Sequence, residues 1–339
     1  MVTKIKKAIK YFSVRCYELK VTIKEFRKGS KLSADSFEAF YKNGMLVEVH
    51  SVEKGLGLKN TKPGHSAKQV KNLINKMFGY IERGYNPLDF AFKETYRVIK
   101  SYIEYQKKFD TSKFLEFEEI ERKFDVLTKR LDPDLVENIE HSLNGGAYVV
   151  PLEELLSGKK FDLKSFLKTR HSIRMYKNLP LSQSEIEKAV ELANMSPSAC
   201  NRQPSKVYFT SERKIVDRVD ELITGSSGFK GEIPNYIIVT TNRACFMNEE
   251  QYQWYINGGI YLSYLTLALH SLGIGNCIMQ WKAFYKTEDE LKKLMGISSY
   301  EAIIAVVGCG YYQEDTKCIY AQRKTVNDTL SIVGNGHVE

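Results

Sequence analysis

Three short apolar runs in the second half of the chain constrain its fold more than any other feature. Residues 206–210 alternate like a β-strand, while 236–240 and 302–307 are apolar runs bounded by turn-forming residues. A long apolar helix is predicted over 259–272, ended by Gly273, but no regular β-α-β alternation accompanies it. The pattern therefore favours an α+β fold, with a core sheet flanked by helices, over a doubly wound parallel sheet.

The first 150 residues carry apolar positions at intervals of three or four, which is helical spacing. The stretches with this spacing are 4–28, about 67–83, about 88–107 and about 113–130, and Asp132-Pro133-Asp134 predicts a stop and a new helix start. We therefore expect two domains, which are a mostly helical N-terminal module over 1–155 and a second domain over 161–339.

The net charge of +9 is concentrated in the helical module, because residues 1–150 hold 28 Lys and Arg against 20 Asp and Glu. These side chains either cover solvated helix faces or direct the module to an acidic surface. No apolar run reaches the roughly 20 residues that span a bilayer, and no secretory signal pattern is present. The six cysteines are scattered without a Cys-x-x-Cys pair. The sequence therefore predicts a cytoplasmic protein without a metal site.

A stretch between two of the predicted helices, residues 49–65, is dense in Gly, His and charge. Its composition predicts a loop, and His50, Glu53 and Lys54 are candidate functional residues because such groups exchange protons or bind anions. Gly and polar groups are also what any loop between helices needs in order to turn. Both interpretations of the stretch stay open.

Two polar stretches of the second domain point to chemistry, namely 170–174 and 196–204. Arg170 and Arg174 are four residues apart, so on a helix they would project from one face. Arg323 and Lys324 form a second cationic pair after the last predicted strand. Cations can bind a phosphate, and amides such as that of Asn201 offer both donors and acceptors to the edge of a heterocycle. Together these groups predict a site for a flavin mononucleotide (FMN).

The order of the motifs strengthens this prediction. Arg170 to Tyr176 is followed by a helix that starts at Ser182 with a capping box, then by 196–204 and by a strand, all within 40 residues. This order resembles the nitroreductase-like family of FMN-dependent flavoproteins. The likeness continues through 257–277 to 304–311 and Arg323-Lys324, so that it covers about 161–335, and the helical module lies outside it.

The resemblance implies that FMN is held at the interface of a homodimer. It implies that Arg174 stabilises the reduced flavin and that Pro197, Ser198 and Asn201 come from the partner subunit. The segment 278–282 stands where the family's backbone approaches flavin N5, and Trp281 either stacks over the site or simply packs. The full set of cofactor-binding residues that we expect is Arg170, His171, Ser172, Arg174, Pro197, Ser198, Asn201, Gln203, Gln280, Trp281, Arg323 and Lys324.

The activity implied by the resemblance is ping-pong transfer of hydride from NAD(P)H, through flavin N5, to a small electrophilic acceptor such as a nitroaromatic or a quinone. No side chain need act as a nucleophile, because the cofactor carries the reaction. Ser205 departs from the family, in which an aromatic residue often follows Gln-Pro, and so does the segment 278–282. Specialised flavin chemistry, such as dehydrogenation or reductive dehalogenation, therefore stays an alternative, as does a sensor or partner-docking role.

A dinucleotide-binding dehydrogenase is disfavoured. Gly308 and Gly310 follow a predicted strand, but Gln313 occupies the place of the third glycine of the fingerprint. Only about 30 residues then remain for the rest of a β-α-β unit. NAD(P)H is expected only as a transient electron donor.

Overall fold

The computed structural model describes residues 34–58, 61–111, 114, 116–142, 145–157, 160–247, 249–281, 285–319 and 321–333, with a few positions between 12 and 23. The helices of its N-terminal part are α1 (Ala34–Leu56), α2 (Ala67–Glu82), α3 (Phe90–Gln106), α4 (Phe117–Thr128) and α5 (Pro133–Ser142). The last four confirm the helices predicted from about residue 67 onward. Most of the predicted helix over 4–28 lies outside the described residues.

Helix α1 corrects the prediction of a loop over residues 49–65, because residues 49–56 are its last two turns. Its buried side chains Met45, Val49 and Val52 recur at intervals of four and three, which places them on one face toward the module's core. Gly55 and a charged, polar opposite face obscured this spacing in the sequence. Gly55 is needed for packing, since a Cβ there would lie 1.6 Å from the ring of His65.

The remaining elements are α6 (Leu152–Ser157), α7 (Leu163–Thr169), α8 (Gln183–Ala193), β1 (Ser205–Thr210), α9 (Arg213–Leu222), β2 (Asn235–Asn242), α10 (Gln253–Ser271), β3 (Ile274–Met279), α11 (Tyr285–Met295) and β4 (Glu301–Tyr311). The four strands form an antiparallel sheet in the order β1-β2-β4-β3. The sheet confirms the α+β prediction. Strand β3 was not predicted, because Gly275 and Asn276 interrupt its short apolar pattern and only Leu272 and Gly273 separate it from α10.

The sheet lies between two pairs of helices, because alternate residues of each strand are buried on opposite faces. On one face Ile237, Val239 and Val307 pack with α8 and α10. On the other face Ile238 and Val306 pack with α9 and α11. Helix α8 begins at the predicted capping box, in which the Ser182 hydroxyl accepts from the Glu185 amide and the Glu185 carboxylate accepts from the Ser182 amide.

The helical module packs against the second domain through α1. This helix crosses two short 3-10 turns, Ala199–Asn201 and Arg243–Cys245. Asn43 and Leu46 are both buried at this contact, and the Asn43 side chain hydrogen-bonds Cys245. Among the described residues, no helix has the length and apolar character needed to cross a membrane.

Candidate functional site

The segment 170–174 is extended rather than helical, which corrects the helical interpretation of Arg170 and Arg174. Helix α7 ends at Thr169, and Arg170 already has extended backbone angles. Ser172 pairs in parallel with Asn276 of β3, and the Ile173 amide donates to the Asn276 carbonyl at 2.9 Å. Ile173 is buried against Gly275, where an added Cβ would lie 3.0 Å from its side chain. Ser172 and Arg174 therefore project from the opposite side of the extended segment.

The segment borders a cavity of about 890 Å³, which we call the Arg170 cavity. Its lining residues come from α7, from 170–172 and from the C-terminal tail, and they are Leu163, Lys164, Leu167, Lys168, Arg170, His171, Ser172, Ile319, Ala321 and Arg323. Arg170 and Arg323, predicted to bind one phosphate, thus meet at one cavity despite their distance in sequence. Lys324 is not among the lining residues.

Lys164 and Lys168 add two cations to the Arg170 cavity that the sequence interpretation missed. They are four residues apart on α7, so they share a helix face. The signal was present as a basic i, i+4 pair directly before Arg170, but lysines at this spacing are common on solvated helices. With Arg170 and Arg323, they make this cavity strongly attractive to an anion.

His270 lies beside the same segment and was not predicted as a site residue. Its Nε2 is 3.0 Å from the Thr169 hydroxyl, and its Nδ1 is 3.1 Å from the Tyr312 hydroxyl. Burial lowers the pKa of His270, and the charges of Arg170 and His171 lower it further. His270, near the end of α10, therefore contacts the residue just before the extended segment.

The second polar stretch forms a strained turn. Cys200, Asn201 and Gln203 all have positive φ angles, of 51°, 50° and 48°. Left-handed backbone at three non-glycine residues within four positions is costly and requires support from the surroundings. That support includes a hydrogen bond of 2.9 Å from the Gln203 amide to the Ser198 hydroxyl and one of 2.8 Å from the Ala199 amide to the Asn257 side chain.

Arg202 is the main anchor of this turn, and its side chain is 1% exposed. The guanidinium donates to both oxygens of Glu250, at 2.8 and 2.6 Å, and to the carbonyls of Ala199 and Cys245. It also stacks 4.8 Å from the centre of the Phe246 ring. The sequence offered this residue within the motif, but only the structure shows that it faces inward.

Pro197, Ser198 and Gln203 line a second cavity of about 640 Å³, which we call the Ser205 cavity. It lies between the second domain and the helical module, with Lys42 and Phe90 on the module's side. The two halves of the predicted flavin motif therefore border different cavities of one chain. Asn201 is exposed at the turn and lines neither cavity.

Three other residues predicted to bind the cofactor line neither of the two cavities. Arg174 is half-buried and donates to the Ser172 carbonyl at 3.3 Å, and its charge lowers the pKa of Cys277 against the larger, raising effect of burial. Gln280 is exposed, and its backbone nitrogen would lie 2.4 Å from a Cβ placed on Gly225. Trp281 packs against the apolar cluster between the sheet and α9 and α11. Its predicted contact with the flavin stays a prediction.

The candidates His50, Glu53 and Lys54 lie on α1 and line neither cavity. His50 Nδ1 is 3.5 Å from a Glu53 oxygen, and Glu53 hydrogen-bonds Glu94 of α3. Burial, together with the charge of Glu53, raises the pKa of Glu94 to about 7. Glu53 and Glu94 therefore form a carboxyl pair inside the helical module, apart from the residues predicted to bind flavin.

Part of the second domain is similar to known proteins. Residues 167–228 match the model of the nitroreductase family. A protein from Archaeoglobus fulgidus is 29% identical over 154 residues, covering 43% of this chain and 83% of that protein. One from Methanothermobacter thermautotrophicus is 27% identical over 161 residues, covering 46% and 80%. Both are named "Putative NADH dehydrogenase/NAD(P)H nitroreductase".

Two solved structures are also similar to about half of this chain. An FMN-dependent nitroreductase from Clostridium difficile R20291 is 20% identical with a TM-score of 0.44, and the match covers 51% of this chain and 99% of that one. A nitroreductase family protein from Streptococcus pneumoniae TIGR4 is 20% identical with a TM-score of 0.43, covering 51% and 100%. The family match over 167–228 confirms the resemblance found in the sequence.

Proposed function

We propose that this protein is an FMN-dependent oxidoreductase that takes electrons from NAD(P)H and passes them, in ping-pong fashion, to a small electrophilic acceptor such as a nitroaromatic or a quinone. The names of the two relatives, which mention NADH and NAD(P)H, support the choice of electron donor. The observation that carries the proposal is the convergence of Arg170, Ser172 and Arg323 on one cavity.

The donor set of the Arg170 cavity fits the phosphate end of FMN. Phosphate requires cations and hydrogen-bond donors, and Lys164, Lys168, Arg170 and Arg323 supply four cations beside the Ser172 hydroxyl. Arg170 and Arg323 present planar guanidinium groups that can bind phosphate oxygens in pairs. The cavity volume of about 890 Å³ lies within the usual range for cofactor sites.

Residues of this chain orient the cofactor and place a positive charge beside it. When bound, the flavin supplies the two-electron chemistry that no protein side chain offers. The backbone of Ser172 is fixed by its pairing with β3, which places this residue in the lining of the cavity. Arg174 is anchored on the Ser172 carbonyl and provides a positive charge for the pyrimidine end. At an effective dielectric constant of 20, a charge at about 4 Å contributes about 4 kcal/mol.

A homodimer is part of the proposal. Pro197, Ser198 and Asn201 of one chain do not reach that chain's Arg170 cavity, so a second copy is needed to bring both halves of the motif to one flavin. Exposed apolar side chains are available to bury in such an interface. On α10 these include Ile256 and Tyr264, and before α7 they include Val149 and Phe161, which are 52%, 41%, 92% and 61% exposed.

The test begins with the absorbance spectrum of the purified protein, before and after addition of FMN and removal of excess ligand. We expect a flavin spectrum that NADH or NADPH bleaches without oxygen and that a nitroaromatic or a quinone restores. Absence of any flavin binding would overturn the proposal. Bound flavin that neither nucleotide reduces would instead favour dehydrogenation or reductive dehalogenation.

A further inference from the structure

The described positions between residues 12 and 23 have helical backbone and carry apolar side chains on one face. Four of them recur at intervals of four, three and four, and they are Phe12, Cys16, Leu19 and Ile23. With 3.6 residues per turn, this spacing places the four side chains within about 60° of one another around the helix axis. We call these four residues the apolar stripe.

The apolar stripe is exposed along its whole length. Phe12, Leu19 and Ile23 are 71%, 61% and 46% exposed, and the Cys16 thiol is exposed as well. Single exposed apolar side chains are ordinary on a protein surface, but several on one helix face form a contiguous patch. Such a patch is typical of a surface that contacts another molecule.

The positive charge of the helical module is confined to the same part of the chain. Residues 1–33 hold ten Lys and Arg against two Glu, whereas residues 34–150 hold 18 basic and 18 acidic residues. The excess of eight positive charges therefore accompanies the apolar stripe, and Lys20 beside Leu19 is exposed. An apolar face with cations at its edges is complementary to a layer of anionic lipid headgroups over acyl chains.

The charges next to the apolar stripe disfavour a second copy of this helix as its partner. In a parallel coiled coil, the positions that flank such a stripe on one helix face those of the other helix. In the sequence pattern these flanking positions contain no acidic residue, and they are Ser13, Arg15, Lys20 and Thr22. Arg15 of one helix would face Lys20 of the other, so that like charges would repel.

We propose that the apolar stripe docks the protein on a membrane surface rich in anionic phospholipid. The stripe enters the boundary between headgroups and acyl chains, while the lysines and arginines around it reach the lipid phosphates. A nucleic acid would use the cations but would leave the apolar stripe in water, and for this reason lipid is favoured. The inference is independent of the proposed function, because it uses no residue of the Arg170 cavity.

The experiment is co-sedimentation of the full chain with vesicles of phosphatidylcholine, either alone or with about one third phosphatidylglycerol. We expect at least about ten-fold tighter binding to the anionic vesicles, and weaker binding as added salt screens the charges. Leu19→Gln shortens the apolar stripe and should weaken binding by about five-fold to ten-fold. Leu88→Gln makes the same change at a site that is 54% exposed and outside the stripe, and should leave binding unchanged.

A second pair of variants tests the charge. Lys20→Glu should weaken binding to the anionic vesicles by about ten-fold or more, whereas Lys62→Glu, at an exposed position outside residues 1–33, should change it by less than about two-fold. Equal binding of the wild type to the two kinds of vesicle, or equal behaviour of the two variants in either pair, would overturn the inference. Weaker binding in Lys20→Glu without any loss in Leu19→Gln would overturn it too, because that result indicates a purely electrostatic partner such as a nucleic acid.

Discussion

Arg202 and Glu250 form a two-point ion pair beneath a turn in which three of four residues have left-handed backbone. The Arg202 guanidinium also donates to the carbonyls of Ala199 and Cys245, so one side chain joins the turn to the segment that α1 contacts. Pro197, Ser198 and Asn201 lie in or near this turn. The shape of the turn and its proposed contact with flavin therefore both depend on Arg202.

Replacing Arg202 with Met should therefore destabilise the protein and weaken FMN binding together. Loss of one partner of a buried, hydrogen-bonded pair costs about 3 kcal/mol, and somewhat less here because Glu250 is partly exposed. Urea unfolding and an FMN titration measure the two effects. Arg218→Met removes an exposed pair with Glu221 and should cost less than about 1 kcal/mol with no effect on FMN. Equal losses for the two variants would contradict the anchoring role of Arg202.

The carboxyl pair of the module predicts a pH dependence of stability. Burial and Glu53 raise the pKa of Glu94 from 4.5 to about 7, so the folded state holds a proton that the unfolded state has released. Stability contributed by this proton is present below about pH 4.5 and is lost as the pH rises through 7, by up to about 3 kcal/mol. Urea unfolding at pH 5 and pH 8 measures the change.

Glu94→Gln removes the titrating group, so the decline in stability between these pH values should become smaller. Glu104→Gln, on the exposed side of the same helix, is the control and should keep the decline of the wild type. If Glu94→Gln and the wild type lose stability equally between pH 5 and pH 8, the raised pKa of Glu94 is not the cause of the pH dependence of stability.

Arg174→Ala should make the midpoint potential of the bound flavin more negative and slow its reduction by NAD(P)H. The physical reason is the loss of a positive charge beside the reduced cofactor, and the shift should be several tens of millivolts. Arg174→Lys keeps the charge and should recover most of the potential. Equilibration with a dye of known potential gives the measurement, and an unchanged potential in Arg174→Ala would show that this residue lies elsewhere relative to the flavin.

Local rules predicted part of this fold well. The capping box at Ser182 and Glu185 fixed the start of α8, and the alternating or apolar runs located β1, β2 and β4. Helix α1 was missed because its polar face and Gly55 mask a narrow buried stripe. Strand β3 was missed because its pairing with β4 and with Ser172 is a tertiary contact that short-range periodicity does not encode.

The residues of the candidate site were also predicted only in part. The motif residues were identifiable from their chemistry and order, and the family match over 167–228 confirms the resemblance they carry. The helical placement of Arg170 and Arg174 was wrong, because pairing with β3 overrides the spacing of four. Lys168 and Phe90 could not be assigned from sequence, since each becomes significant only when distant segments meet at a cavity.

The most direct test of the central claim compares the affinities of FMN and riboflavin, which differ only by the phosphate, measured by flavin fluorescence. We expect the wild type to bind FMN at least about 100-fold more tightly than riboflavin, since two or more charge-assisted hydrogen bonds are involved. In Arg170→Ala this preference should fall about ten-fold or more, while Arg218→Ala keeps it. Equal affinity of the wild type for the two flavins, or a preference unchanged in Arg170→Ala, would show that the Arg170 cavity does not bind the phosphate of FMN.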